Sequence, residues 1–274
     1  MPTHRIPHEL ISMHPRARAA SKAETTLAWI YIFNYSTQYH VRRLLQVQGR
    51  DLLPKLEAMG LVTSFPLPRG LQKAYLLTRK GGATAAQLLG RDNSYRMRPD
   101  RLVPAMVDHE LAVQDCVLDH LMPQLEEHPR EDLLETLTCL RGSRELWAVH
   151  GQVAADAMFR WVDDDGARAA HAFECERHGK SDTRLRTRMH AIVEMFIRYQ
   201  GRLSVDYLMV TPPSVISRYI ATWRHVCESM DLALLLNPSS EFGRNEEVLR
   251  RALIACSEFR SYAPPSTLFR KLSK

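Results

Sequence analysis

Three acidic side chains carry the strongest chemical signal in the chain. Glu174 and Glu176 are two apart in R-A-A-H-A-F-E-C-E. On a strand they therefore point to one face, while Phe173 and Cys175 take the other. Asp156 lies upstream in V-A-A-D-A-M-F-R-W, and Asp156 and Glu174 are equidistant from Asp165 in the turn-forming D-D-D-G. A simple hairpin folded there sets the two opposite each other within about one register position. Like charges facing across strands repel, so three carboxylates among alanine, phenylalanine and methionine require compensation. A divalent cation bound by Asp156, Glu174 and Glu176 would supply it, and oxygen-only ligands select Mg2+ or Mn2+ over zinc. The competing reading is an exposed acidic hairpin that faces water.

A second spacing is weaker. His171, Cys175 and His178 form H-x3-C-x2-H, but no fourth zinc ligand is evident, and Cys175 reads as small core filler. The chain has no G-x-S-x-G elbow, no G-x-x-x-x-G-K-[ST] loop, no G-x-G-x-x-G and no H-x-H. Those absences disfavour the marked hydrolase, NTPase and dinucleotide classes.

The elements that must position these groups follow from pattern. The 274 residues, 45% hydrophobic and 25% charged, suit one large domain or two ordinary ones. Uninterrupted apolar runs such as Leu232 to Leu236 are too short to span a membrane. The N-terminus shows no apolar secretory core, and five cysteines without a close pair read as reduced thiols. The expected location is cytoplasmic. Residues 1–20 read as a mobile basic tail and 21–90 as a first domain. In it Ser21 caps a first helix and Ser36 a second, a third ends at Gly60, two strands follow, and a helix runs from Ala83 to Leu89. Residues 91–105 read as linker. Residues 106–274 read as a mixed domain that opens with a helix at 107–121. Strands follow near 136–141, 145–149, 153–161 and 168–176, then a helix at 182–200, a strand at 205–210, a helix at 214–229, a strand at 232–236 and a helix near 245–259. The fold class is α/β (α+β).

Charge divides unevenly. Residues 1–108 hold 16 Lys/Arg against 7 Asp/Glu, and residues 109–274 hold 21 against 24. A basic front half points to phosphate. Arg42 and Arg43 on the second helix, Arg50 and Lys55 on or beside the third, and Arg69 and Lys73 in or beside the wing are the candidate double-stranded DNA contacts. Tyr39 and His40 are further candidates.

Three helices followed by a β-hairpin, with M-G-L-V, a basic turn and Y-L-L-T, are similar to winged-helix regulators over residues 21–90. A strand carrying Asp, a hairpin and a strand carrying E-x-E resemble the core of the PD-(D/E)xK nuclease superfamily. With H-E-L-A-V-Q-D at 109–115, A-D-A and F-E-C-E-R in that order, the chain resembles the replication-relaxation family and the related MobC-type plasmid relaxases. That resemblance implies a winged helix joined to a restriction-endonuclease-like domain, and Asp156 and Glu174 as metal-binding acids. It also implies His109 as the helix histidine, and an origin-type DNA site with other transfer or replication proteins as partners. Glu176 stands where the superfamily has lysine. Two readings follow. In one, Glu176 is a third metal ligand, Lys180 or Arg177 supplies the positive charge, and the protein is a Mg2+- or Mn2+-dependent nickase. In the other, the site is degenerate and the protein is a non-catalytic DNA-binding regulator or accessory protein.

Overall fold

The structure, a computed structural model, describes residues 15–47, 52–67, 73–93, 95, 104–127, 133–150, 155–162, 166–231 and 245–262. Arg50, Arg69, Asp165 and the expected strand at 232–236 lie outside the described residues. Among the described residues, helices combine with two sheets, one of three strands and one of five, in a mixed α/β chain. The chain divides into two compact units between Leu140 and Arg141.

The first unit begins with α1 (Pro15–Phe33). Its C-terminal half is buried all round, from Leu27 to Phe33, as an apolar stretch without a polar face must be. Asn34, at φ +66°, turns the chain out of the helix. β1 (Tyr35–Thr37), α2 (Gln38–Leu45), α3 (Leu52–Ala58), β2 (Val62–Pro66), β3 (Lys73–Leu77) and α4 (Arg79–Leu88) follow. The strands pair antiparallel in the order β1-β3-β2, the winged-helix arrangement. α3 gives way at Gly60, whose φ of +69° is the left-handed stop expected there.

Three local expectations are corrected. α1 starts at Pro15, so Ser21 is interior to it. Ser36 belongs to β1, and the cap of α2 is Thr37, whose side chain accepts from the His40 amide. α4 starts at Arg79 with the Gly-Gly pair inside it. The reason is close packing: a Cβ on Gly81 would lie 1.9 Å from the Leu61 carbonyl oxygen.

α5 (Pro104–Glu127) and α6 (Leu133–Cys139) complete the first unit, whereas the sequence pattern assigns residues from 106 onwards to the second domain. Gln114 explains the placement of α5. It is fully buried, accepts from Trp29 Nε1 at 2.8 Å and Ser36 Oγ at 2.7 Å, and donates to the Tyr35 carbonyl at 2.9 Å.

The second unit contains β4 (Leu140–Gly142, which begins at the division), α7 (Ser143–His150), β5 (Ala157–Val162), β6 (Arg168–Glu176), α8 (Asp182–Arg198), β7 (Leu203–Met209), α9 (Pro213–Ser229), α10 (Glu246–Ala255) and β8 (Ser257–Ser261). The sheet order is β4-β5-β6-β7-β8. β5 and β6 are antiparallel, and β6, β7 and β8 are parallel, as helical crossovers require. The strands expected at 136–141 and 145–149 are mostly helical, in α6 and α7. Leu137 is fully buried on α6, and the Arg91 guanidinium closes that helix by donating to the carbonyls of Leu137, Thr138 and Leu140. The final helix stops at Ala255, and Ser257–Ser261 joins the sheet instead.

The main core packs α8 and α9 against one face of the sheet. Leu185, Met189, Ile192 and Phe196 of α8 and Tyr219, Trp223 and Val226 of α9 meet Ala170, Ala172, Val205, Tyr207 and Met209. Glu174 and Glu176 share that face by strand alternation.

Candidate active site

The β5–β6 register runs from Ala157 opposite Phe173 to Val162 opposite Arg168. Asp156 lies just before β5, and its amide donates to the Phe173 carbonyl at 2.8 Å, which holds it beside the Glu174 end of β6. The Cys175 amide donates to Asp156 Oδ2 at 2.9 Å. Asp156, Glu174 and Glu176 are 7%, 1% and 5% exposed, which rules out a water-facing hairpin face.

Two cationic side chains meet the three acids. Lys180, in the loop before α8, lies 3.3 Å from Glu174 Oε1 and pairs with Glu176 Oε2. Arg188, on α8, pairs with Glu174 Oε2 and lies 3.7 Å from Asp156 Oδ1. Tyr219 of α9 donates to Glu176 Oε2 at 2.8 Å and accepts from the Lys180 amide at 3.0 Å. Sequence reasoning missed both Arg188 and Tyr219. The available signal was position: Arg188 falls among Leu185, Met189 and Ile192, the buried stripe of α8, where an arginine needs an acidic partner.

Burial dominates the electrostatics. It pushes the Glu174 carboxyl above its usual range, against the pull of Arg188, with Asp156 adding to the rise and Lys180 opposing it. Burial opposes the Lys180 charge, but Glu174 and Glu176 outweigh it and hold the ammonium up at about 12. Arg188 is raised in the same way, burial being overcome by Glu174 and then Asp156. The Tyr219 phenol is pushed up to about 12, chiefly by burial, so it serves as a neutral hydrogen-bonding group.

The donor set bears directly on a cation. Asp156 and Glu174 both turn a hard carboxylate oxygen to Arg188 Nη2, a donor type that fits Mg2+ or Mn2+. The three acids do not form a group whose oxygens all lie within 4.8 Å of one another, and Glu176 shares Lys180 with Glu174. The contacts of Glu176 are Lys180, Tyr219 and the His178 amide. Arg177 is half-buried. The H-x3-C-x2-H residues do not converge. His171 contacts Ser204 Oγ at 2.6 Å and Asp206 Oδ2 at 3.3 Å, Cys175 is buried, and His178 is exposed.

In the first unit, His109 stands half-buried on α5. Lys55 on α3 and Lys73 at the start of β3 are exposed, and Arg42 on α2 is half-buried. Arg43 is bound to Asp115 at 3.0 Å and Asp119 at 2.5 Å, both on α5. His40 is buried between Thr37, the Leu111 carbonyl and Asp115, so it is a core histidine and not a surface contact. Tyr39 lies under the Arg43 guanidinium at 5.8 Å.

The sequence profile of the replication-relaxation family matches residues 27–199, which takes in the three-stranded sheet, Asp156, Glu174, Lys180 and α8. No curated protein and no solved structure matches the chain. Among the described residues, no helix is long and apolar enough to cross a membrane.

Proposed function

The chain belongs to the replication-relaxation family, and from that premise we propose that it is a DNA-binding, metal-dependent nicking protein of plasmid or mobile-element replication or transfer. One observation carries the reading: Asp156, just before β5, and Glu174, on β6, both reach Arg188 Nη2, with the Lys180 ammonium 3.3 Å from Glu174. The strand pattern supports it too, since an antiparallel β5–β6 pair followed by a helical crossover to parallel β7 is similar to the PD-(D/E)xK core.

In this reading Asp156 and Glu174 hold Mg2+ or Mn2+. When bound, the ion supplies an acidified water and neutralises charge on the scissile phosphate. Glu176 occupies the superfamily's lysine position and plays a different part, accepting from Tyr219 and pairing with Lys180. Lys180 delivers the missing positive charge from outside the strand, aimed at charge that develops on the phosphate. The first unit finds the duplex. α3, in the recognition-helix position of the winged helix, presents Lys55, and Lys73 flanks the wing. Arg42 is a further backbone contact, and His109 carries no assigned step.

A second reading has an observation in its favour. Lys180 and Arg188 already compensate the buried acids, as they would in a DNA-binding accessory protein that retains the fold as a scaffold. Supercoiled plasmids bearing candidate replication or transfer origins separate the two. Nicking proteins convert them to open circles with Mg2+ or Mn2+ and not with chelator; an accessory protein binds them and leaves them supercoiled.

A further inference from the structure

We infer that Arg188 is a resident counter-cation that holds the Asp156–Glu174 pair together until a divalent cation replaces it, so that the guanidinium and the metal compete for the same two carboxylates. The inference rests on the metal-dependent reading above and adds how that site is kept folded and how it loads.

The geometry is specific. A single guanidinium nitrogen, Nη2 of Arg188, contacts both Glu174 Oε2 on β6 and Asp156 Oδ1 just before β5. Lys180 approaches the other Glu174 oxygen, Oε1, so the two cations do not share a position. Removing one partner of a buried ion pair leaves an uncompensated charge and is strongly destabilising. The two acids, when ionised, therefore need a cation beside them.

Charge counting over these five groups favours one cation or the other. With the acids ionised, Asp156, Glu174 and Glu176 against Lys180 and Arg188 leave a single negative charge. A divalent ion added beside Arg188 would make the buried cluster net positive, with like charges in contact. A divalent ion added as Arg188 swings away leaves the cluster neutral. The exit is short. Arg188 is 16% exposed, its neighbours Arg186 and Thr187 are exposed, and α8 stays anchored by Leu185, Met189 and Ile192. The side chain can reach water by rotating about its own bonds while the helix remains in place.

The test is a calorimetric Mn2+ titration of the full chain, stripped with chelator beforehand, paired with thermal unfolding in chelator and in Mn2+. The variants are Arg188→Gln, Glu174→Gln and the double variant. Arg188→Gln is expected to bind Mn2+ about tenfold more tightly than wild type or better, because its competitor is gone. It should also melt lower in chelator and gain more from Mn2+. Glu174→Gln should abolish the binding with or without Arg188. Equal or weaker Mn2+ binding by Arg188→Gln, with Glu174→Gln still abolishing it, overturns the inference and leaves the metal reading standing. Mn2+ binding that is indifferent to Glu174→Gln overturns both. If Arg188→Gln does not fold in chelator, its rescue by Mn2+ during refolding supports the inference, and failure of that rescue overturns it.

Discussion

Lys180 Nζ lies 3.3 Å from Glu174 Oε1 although Lys180 falls beyond the end of β6. Its position is fixed from α9: the Lys180 amide donates to the Tyr219 hydroxyl at 3.0 Å, and its carbonyl accepts from Arg218 at 2.7 Å. A lysine absent from the strand position is thus returned to the carboxylates by a loop with both peptide groups tied down.

Replacing Lys180 by Gln should therefore cut plasmid nicking by about 10²-fold, the usual scale for losing one donor aimed at developing charge. Duplex affinity, measured on the same DNA by fluorescence anisotropy, should stay near wild type. A matching fall in affinity would assign Lys180 to DNA binding.

In the first unit, Gln114→Ala removes the shared partner of Trp29 Nε1, Ser36 Oγ and the Tyr35 carbonyl. Each buried group left unpaired costs about 1–3 kcal/mol. Denaturant unfolding should show a loss of about 3 kcal/mol or more, with Gln114→Glu also destabilised because an ionised carboxylate cannot donate to Tyr35.

How much of this was legible in the sequence depended on how local each signal was. The pairing of β5 with β6 was readable because a hairpin is symmetric about its turn, and the order of β6, α8 and β7 was readable from a change of period. β1 was not: three residues carry little pattern, and their partner β3 is distant in the chain. The run L-E-T-L-T-C-L alternates like a strand, yet it forms α6 because Leu137 is buried and Arg91 takes up the terminal carbonyls. Arg188 was not singled out, since only the folded chain brings its acidic partners Asp156 and Glu174 beneath α8. Arg43 carried the opposite difficulty, a basic residue on a winged-helix surface element whose acidic partners lie on α5.

The two classes of basic residue should separate experimentally. Lys55→Ala and Lys73→Ala, on exposed side chains, should each weaken duplex binding and lower the dependence of log K on log salt by about one unit. Arg43→Ala should act mainly on stability, because it frees Asp115, which is fully buried. A salt slope changed by Arg43→Ala and left alone by Lys55→Ala would reverse that assignment.

Asp206 gives the pH dependence a sign. Burial works to raise its carboxyl, but hydrogen bonds from His171 and Arg260 and their charges more than reverse this, leaving it below its ordinary value. A carboxylate depressed in the folded state contributes stability above its unfolded value, and that contribution is lost as pH falls through the folded one. The second unit should accordingly lose stability below about pH 4. Asp206→Asn should flatten that acid limb and cost about 1 kcal/mol at neutral pH, given that Arg260 is half exposed. An unchanged acid limb in thermal unfolding would show that Asp206 does not set it.

The central claim is that Asp156 and Glu174 form a cleavage centre whose DNA specificity lies elsewhere. It is tested most directly by measuring, for wild type and Asp156→Asn on one supercoiled origin plasmid with Mn2+, both the rate of open-circle formation and the affinity for that DNA. Nicking by Asp156→Asn is predicted to fall below detection while affinity stays within about twofold, because the substitution removes an oxygen ligand and leaves the winged helix untouched. Nicking by Asp156→Asn at the wild-type rate would contradict the claim.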